Sequence, residues 1–268
     1  MVLYCVNTAL LLVLPMNYDD ADIARRYNSA RQLPEATLVF WLDKISEHIP
    51  ADEVHTIVDV GCGTGRFSAA LANTFEADVI GFDPSITMLK EATSNVSHRR
   101  VQFLVGDSEH ISLTGSSADL VYLSMVYHHI PDPDSAAREF KRVLRPGGFV
   151  CIRNSTLDLL DQVSYLKYFP SAMKYNSHRI PLQRDVINTL QTNGFTLLKH
   201  EVVQHQFAAT QREYYEKIKL RGLSDLVLLS DVEFEAGLIR MKADIDSNQV
   251  SEPVFEPIDL FVFRVESR

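Results

Sequence analysis

The segment VDVGCGTG, Val58 to Gly65, runs from an apolar stretch into three glycines spaced two apart. Glycines at such a turn let the backbone bend tightly and let a ligand approach where a side chain would clash. A helix beginning near Arg66 would also present unpaired N–H groups, which favour an anionic group. Two acids follow at informative places. Asp83, in Gly81-Phe-Asp-Pro-Ser85, lies 22 residues after Gly61, where a carboxylate can accept bonds from both hydroxyls of a ribose. Asp107, in VGDSEHI, ends a third apolar run and can reach the exocyclic amine of an adenine. A dinucleotide site wants a small residue at position 66 for close helix–strand packing, and Arg66 stands there. An adenosine without a pyrophosphate fits these positions better.

The elements that must position those residues alternate along the chain. β-rich runs are expected at Thr56 to Val60, Asp78 to Phe82, Val101 to Val105, Asp119 to Ser124 and Gly148 to Arg153. Helical patterns lie between them, for instance Phe67 to Phe75 and Ile86 to Ser94. Runs such as Val121-Tyr122-Leu123 are too continuously apolar for strands with one wet face, so both faces should be covered. That alternation predicts an α/β fold, a Rossmann-like doubly wound parallel sheet. Ahead of it, Leu38, Leu42, Ile45 and Ile49 form one face of a helix over Glu35 to Ile49, with Pro34 in its first turn and Pro50 as its stop. Behind it, Phe195 to Val203 and Ile258 to Val265 read as two more strands. The pairs Thr210/Glu213 and Ser230/Glu233 between them are capping boxes that open helices, so this region is an appendage at the sheet edge.

With 268 residues, 46% of them hydrophobic and a net charge of −9, the chain has a core to bury and makes a poor clamp for nucleic acid. No nucleic-acid partner is expected. The basic run Arg138, Lys141, Arg142 and Arg145 reads as a solvated helix face. Cys5, Cys62 and Cys151 lie far apart, without metal-site spacing, which fits reduced thiols in the cytoplasm and no metal. Val2 to Pro15 is apolar but too short to span a bilayer, and it lacks the basic start of a secretory signal. No membrane partner is expected. Met16 is the expected start of translation, with residues 1–16 an extension or tail.

In these motifs the chain resembles the class I S-adenosylmethionine-dependent methyltransferases, in particular the small-molecule enzymes with the type 11 methyltransferase domain. The resemblance rests on Asp59, Gly61, Gly63 and Gly65, on Asp83, and on Gly106-Asp107. It continues through the strand Asp119 to Ser124 with His128-His129-Ile130-Pro131-Asp132, and through Leu144-Arg145-Pro146-Gly147-Gly148. It implies a seven-stranded sheet with an antiparallel last strand. It also implies residues 17–53 as helices covering the cofactor, 54–155 as the binding core, and 156–268 as completion of the same domain. The implied cofactor is S-adenosyl-L-methionine. Asp59, Gly61, Cys62, Gly63 and Gly65 would hold its methionine part, Asp83 its ribose, Asp107 and Ser108 its adenine, and Ser124 and Met125 its sulfonium end. Tyr27 and Arg31 would belong to a closing N-terminal helix.

Methyl transfer from a sulfonium is an in-line displacement on an activated carbon, so positioning and exclusion of water supply much of the catalysis. Where a base is needed, His129 is the candidate, with Tyr127 and His128 behind it, just past the fourth strand where ligands bind in such sheets. The same His pair could instead only pack its loop. Arg153 and Asn154 are candidates for a substrate carboxylate, although Arg153 suits an exposed strand end equally. Tyr214, Tyr215 and Lys217 could roof the substrate pocket or belong to a core. The alternatives to a methyltransferase are a non-catalytic cofactor-binding module and an NAD(P)-dependent oxidoreductase.

Overall fold

The computed structural model describes residues 33–177, 179–247 and 252–266. Residues 1–16, Tyr27 and Arg31 lie outside the described residues. Seven strands form one sheet: β1 (Thr56–Val60), β2 (Asp78–Asp83), β3 (Val101–Val105), β4 (Ala118–Ser124), β5 (Leu144–Asn154), β6 (Phe195–Ala208) and β7 (Val254–Val265). Their order is β3-β2-β1-β4-β5-β7-β6. β1 to β5 pair in parallel, and β7 runs antiparallel to both β5 and β6. The order reverses at β1/β4, so the carboxyl ends of those two strands open onto the crevice where ligands sit in such sheets.

Side chains of neighbouring strand residues point to opposite faces, and in the central strands β1, β4 and β5 both faces are dry, while the edge strand β3 stays largely exposed. Val58, Val60, Val121, Leu123, Val150 and Ile152 pack on one side. They meet α4 (Pro133–Val143) and α6 (Gln183–Thr192) through Ala136, Phe140, Val186 and Leu190. Ile57, Leu120, Tyr122, Phe149 and Cys151 pack on the other side. There they meet α1 (Glu35–Ser46) and α2 (Ser68–Thr74) through Trp41, Ile45 and Leu71. The continuous apolar runs of the sequence are therefore strands sandwiched between helix layers. α3 (Ile86–Asn95) starts at Ser85, whose hydroxyl accepts the Met88 amide at 3.2 Å.

Several boundaries differ from the sequence expectation. Pro34 is the residue before α1, with extended ψ, and the helix ends at Ser46, leaving Ile49 buried in the following turn. α2 begins at Ser68 because the glycine turn continues through Phe67. β5 begins at Leu144: the Pro146-Gly147-Gly148 segment is a register shift inside the strand, with Gly147 at φ +81°, and does not precede it. The basic run is only partly a solvated face. Arg142 grips Glu139 and the carbonyls of Ile111 and Leu113, and Arg145 pairs with Asp119 at 2.5 Å.

The third core belongs to the segments before α6 and between β6 and β7. It gathers α5 (Pro170–Asn176), α7 (Gln211–Lys219), α8 (Ser224–Val227) and α9 (Asp231–Ser247) around Phe169, Tyr214, Leu226 and Phe234. Both capping pairs form. Thr210 Oγ1 accepts the Glu213 amide at 3.0 Å, and Ser230 and Glu233 bond reciprocally. No helix among the described residues is long and apolar enough to cross a membrane.

Candidate functional site

Gly61, Gly63 and Gly65 all hold left-handed backbone, with φ of +63°, +54° and +75°. Such angles cost a side-chain-bearing residue about 1–2 kcal/mol. A β-carbon on Gly61 would also lie 2.6 Å from both methyls of Val126, and one on Gly65 2.8 Å from Phe103. Gly63 faces open space. Two of the glycines thus let the turn pack against the sheet, and the third leaves room above it. A cleft lies there, lined by Asp59, Gly61, Cys62, Gly63, Thr64, Arg66, Phe67 and Ser124.

The acids make this cleft unlike a phosphate cradle. Asp59 is 3% exposed and accepts the Ser68 hydroxyl at 2.7 Å. Burial pushes its carboxyl up to about 7, the Ser68 bond opposes that rise, and the charge of Asp83 adds to it. Asp83 accepts the Gly63 amide through one oxygen and the Ser85 amide through the other, each at 2.9 Å. The Ser68 amide at the start of α2 is used by the Gly65 carbonyl. Carboxylates beneath and beside the turn favour a cationic or hydroxyl-bearing group over the anion that a bare helix start would attract. Cys62 donates its amide to the Phe82 carbonyl, and burial pushes its thiol far up, so it fills space and is no nucleophile. Asp107 stands exposed at the end of β3, where one oxygen accepts the amides of Glu109 and His110, and Ser108 is buried beside it.

The opposite wall comes from β4, β5 and the turn after Ser124. Met125 holds φ +58° and donates its amide to the Arg153 carbonyl at 2.7 Å. Tyr127 to His129 form a single turn with three residues per turn, so successive side chains fan out about 120° apart. Tyr127 points into the core beside α4 and α6, where burial pushes its phenol up to about 12. His128 is half-buried and faces inward, while His129 is exposed, with Nδ1 3.5 Å from an Arg179 Nη. Arg153 is no exposed strand end. It is 3% exposed, stacks over Trp41 at 4.3 Å and donates to Ser124 Oγ. Asn154 is fully buried and meets His128 Nδ1 at 3.1 Å.

Beyond Met125 a second cavity opens between the sheet edge and the third core. Met125 and His128 form one side, and Leu160, Val163, Ile180, Leu223 and Ile258 give it apolar walls. Its polar lining includes Tyr165, Asn176, Arg179, Asp225 and Glu256. Asp225 accepts the Tyr165 hydroxyl at 2.6 Å and the Asn176 amide at 2.8 Å, and Glu256 accepts the Tyr214 hydroxyl at 2.8 Å. Sequence reasoning missed these residues, which lie in no motif and meet only through the fold. Tyr214 is a core residue behind this lining, Tyr215 packs against the same core, and Lys217 bonds the Phe207 carbonyl and Glu213. None of the three lines the cavity. Among the described residues, one His/acid group, Glu47, His48 and Glu201, has metal-like spacing, and Lys44 and Lys199 balance its charge.

Part of the sequence, and the fold, match known proteins. Residues 58–152 match the family described as "Methyltransferase domain". Methyltransferase GfsG of Streptomyces halstedii is 34% identical over 114 residues, covering 41% of each chain. The chain thus spans about two fifths of that curated relative's length. Among solved structures, a protein named as a candidate methyltransferase of an antibiotic biosynthesis pathway in Anabaena variabilis superposes with a TM-score of 0.68 at 24% identity, covering 88% of this chain and 99% of that one. Phosphoethanolamine N-methyltransferase 2 of Haemonchus contortus, solved with phosphomonomethylethanolamine and S-adenosylhomocysteine, gives 0.63 at 19% identity, covering 94% and 58%. At those identities the likeness is one of fold. The acidic glycine turn at the sheet's switch point lies within the stretch, residues 58–152 from β1 to β5, that matches the methyltransferase domain family.

Proposed function

We propose that the chain transfers a methyl group from S-adenosyl-L-methionine to a small-molecule acceptor held in the second cavity. The observation that carries this reading is the junction of two cavities. A cleft over an acidic glycine turn ends at Ser124, and the next residue, Met125, lines a second chamber. A donor and an acceptor in those two spaces would meet at that junction.

The chain's residues fit the donor. Gly63 leaves open space, and buried Asp59 lies below it to take an ammonium group. Asp83 stands at the end of β2 for the ribose hydroxyls, and Asp107 and Ser108 follow β3 for the adenine. When bound, the sulfonium supplies an activated methyl carbon. The protein's part is to orient the acceptor and to exclude water, which the apolar chamber walls favour. The net charge of −9 speaks against nucleic acid as acceptor. A reduced, cytoplasmic setting is the matching expectation from the cysteine spacing.

Calorimetry tests the reading. S-adenosylhomocysteine should bind and NAD should not. Binding of NAD in its place would overturn the assignment. Incubation with methyl-labelled donor and a metabolite extract should yield a labelled small product. Tight donor binding with no labelled product would favour a non-catalytic cofactor-binding module.

A further inference from the structure

We infer that His128, and not the neighbouring His129, is the proton acceptor of the acceptor chamber, and that the acceptor is protic, an O–H or N–H group that keeps its proton until transfer. The inference rests on the methyltransferase reading and names the acceptor class of the same site.

The argument begins with Asn154. Its side chain is fully buried, and its Nδ2 lies 2.7 Å from the Ser155 carbonyl. A carbonyl only accepts, so the atom facing it is the amide NH₂, and Oδ1 must face the other way. There it meets His128 Nδ1 at 3.1 Å. Oδ1 also only accepts, so Nδ1 carries the ring proton. In the neutral ring Nε2 is then the acceptor nitrogen. A backbone carbonyl thus fixes a tautomer two links away.

The single turn over Tyr127 to His129 decides which ring this arrangement serves. His128 lines the chamber together with Met125, which follows Ser124 of the donor cleft. His129 is exposed, and its Nδ1 faces the Arg179 guanidinium and not the chamber's apolar wall. Across the chamber stand the carboxylates of Asp225 and Glu256, which together with Arg179 are the charged groups of its lining. Asp225 is 3% exposed and held by the neutral donors Tyr165 and Asn176. Glu256 accepts the Tyr214 hydroxyl at 2.8 Å, so both carboxylates are tied to the wall by side-chain donors.

The bookkeeping of the step closes. The acceptor oxygen or nitrogen gains the methyl carbon, the carbon's former bond to sulfur leaves its electron pair on sulfur, and the acceptor's proton ends on His128 Nε2. A thioether or tertiary amine has no proton to give and would leave the Asn154 clamp without purpose.

The test uses the whole ¹⁵N-His-labelled protein saturated with S-adenosylhomocysteine, titrated with phenol and, separately, with anisole. Ring-nitrogen NMR should show His128 protonated on Nδ1 alone. Phenol, an O–H donor, should shift the Nε2 resonance, and anisole should not. His128→Gln should abolish the phenol response while S-adenosylhomocysteine affinity stays within about twofold. Asn154→Asp keeps the shape but places a carboxylate at Nδ1, and should convert the ring to an imidazolium at neutral pH. A proton on Nε2 in the wild type overturns the proposal. So does a phenol response at His129, equal responses to phenol and anisole, or no response to either. S-adenosylhomocysteine affinity, read on the same samples, reports separately on the methyltransferase assignment.

Discussion

Asp83, at the end of β2, accepts the amide of Gly63 in the turn that leaves β1, at 2.9 Å. The acid expected to hold a ribose also fixes the glycine that leaves space for the rest of the ligand. Its other oxygen binds the Ser85 amide at the start of α3, so one carboxylate joins two loops of the cleft. Asp83→Ala should therefore cost S-adenosylhomocysteine affinity by 10- to 100-fold, about 1.4–2.8 kcal/mol. Urea unfolding should register a further loss of about 1–3 kcal/mol from the two unsatisfied amides. Unchanged affinity would remove Asp83 from the site.

Gly61 is constrained twice. Its φ of +63° disfavours any β-carbon, and the space that atom would take is occupied by the methyls of Val126 at 2.6 Å. Gly61→Ala should destabilise the fold by about 3 kcal/mol, from left-handed backbone plus overlap. Adding Val126→Ala should recover the overlap part and leave about 1–2 kcal/mol of backbone cost. Chemical denaturation of both variants checks this. A double variant as unstable as the single one would show that the crowding of Val126 is unimportant.

Asp59 sets a pH dependence. Burial, together with the charge of Asp83, raises its carboxyl from an ordinary value of 3.8 to about 7 in the fold, against the Ser68 bond. Between those values the unfolded chain releases the proton and the folded chain keeps it. Stability contributed by Asp59 is thus greatest below about pH 4, declines as pH rises toward 7, and is flat above, a total of up to about 4 kcal/mol. Asp59→Asn keeps a partner for Ser68 and should flatten the difference in urea midpoints across pH 4.5 to 8. Binding of the donor's ammonium group favours ionised Asp59. Calorimetry of S-adenosylhomocysteine at pH 6 in two buffers should therefore show proton release, and none for the Asn variant.

The sequence made the sheet legible for a physical reason. Strands buried on both faces read as unbroken apolar runs, and left-handed turns leave glycines at fixed spacing, as at Gly61, Gly63 and Gly65. The place of Asp83 at the end of β2 was legible because the apolar run before it stops there. The histidine pair was not. In a turn with three residues per turn, Tyr127, His128 and His129 face three directions, and only the surrounding packing decides which lines the cavity. The chamber was hidden altogether, because Tyr165, Asn176, Asp225 and Glu256 converge from separate segments with no shared motif. Arg153 misled by type: a charge at a strand end suggests solvent, and here aromatic rings cover it.

That covered arginine supports the last prediction. Arg153 stacks its guanidinium 4.3 Å from the Trp41 ring centre and 5.7 Å from that of Phe67, and donates to Ser124 Oγ at 3.2 Å. Trp41 lies on α1, Phe67 ends the glycine turn, and Ser124 ends β4, so one planar side chain ties α1 to two residues of the cleft lining. A lysine ammonium lacks the plane for stacking and is more strongly hydrated. Arg153→Lys should therefore lower stability by about 1–2 kcal/mol despite keeping the charge. Trp41 is the only tryptophan, so its fluorescence reports the loss directly. The variant should show red-shifted emission in the folded state and an earlier urea midpoint. Emission and midpoint identical to wild type would mean that α1 is held by its apolar face alone.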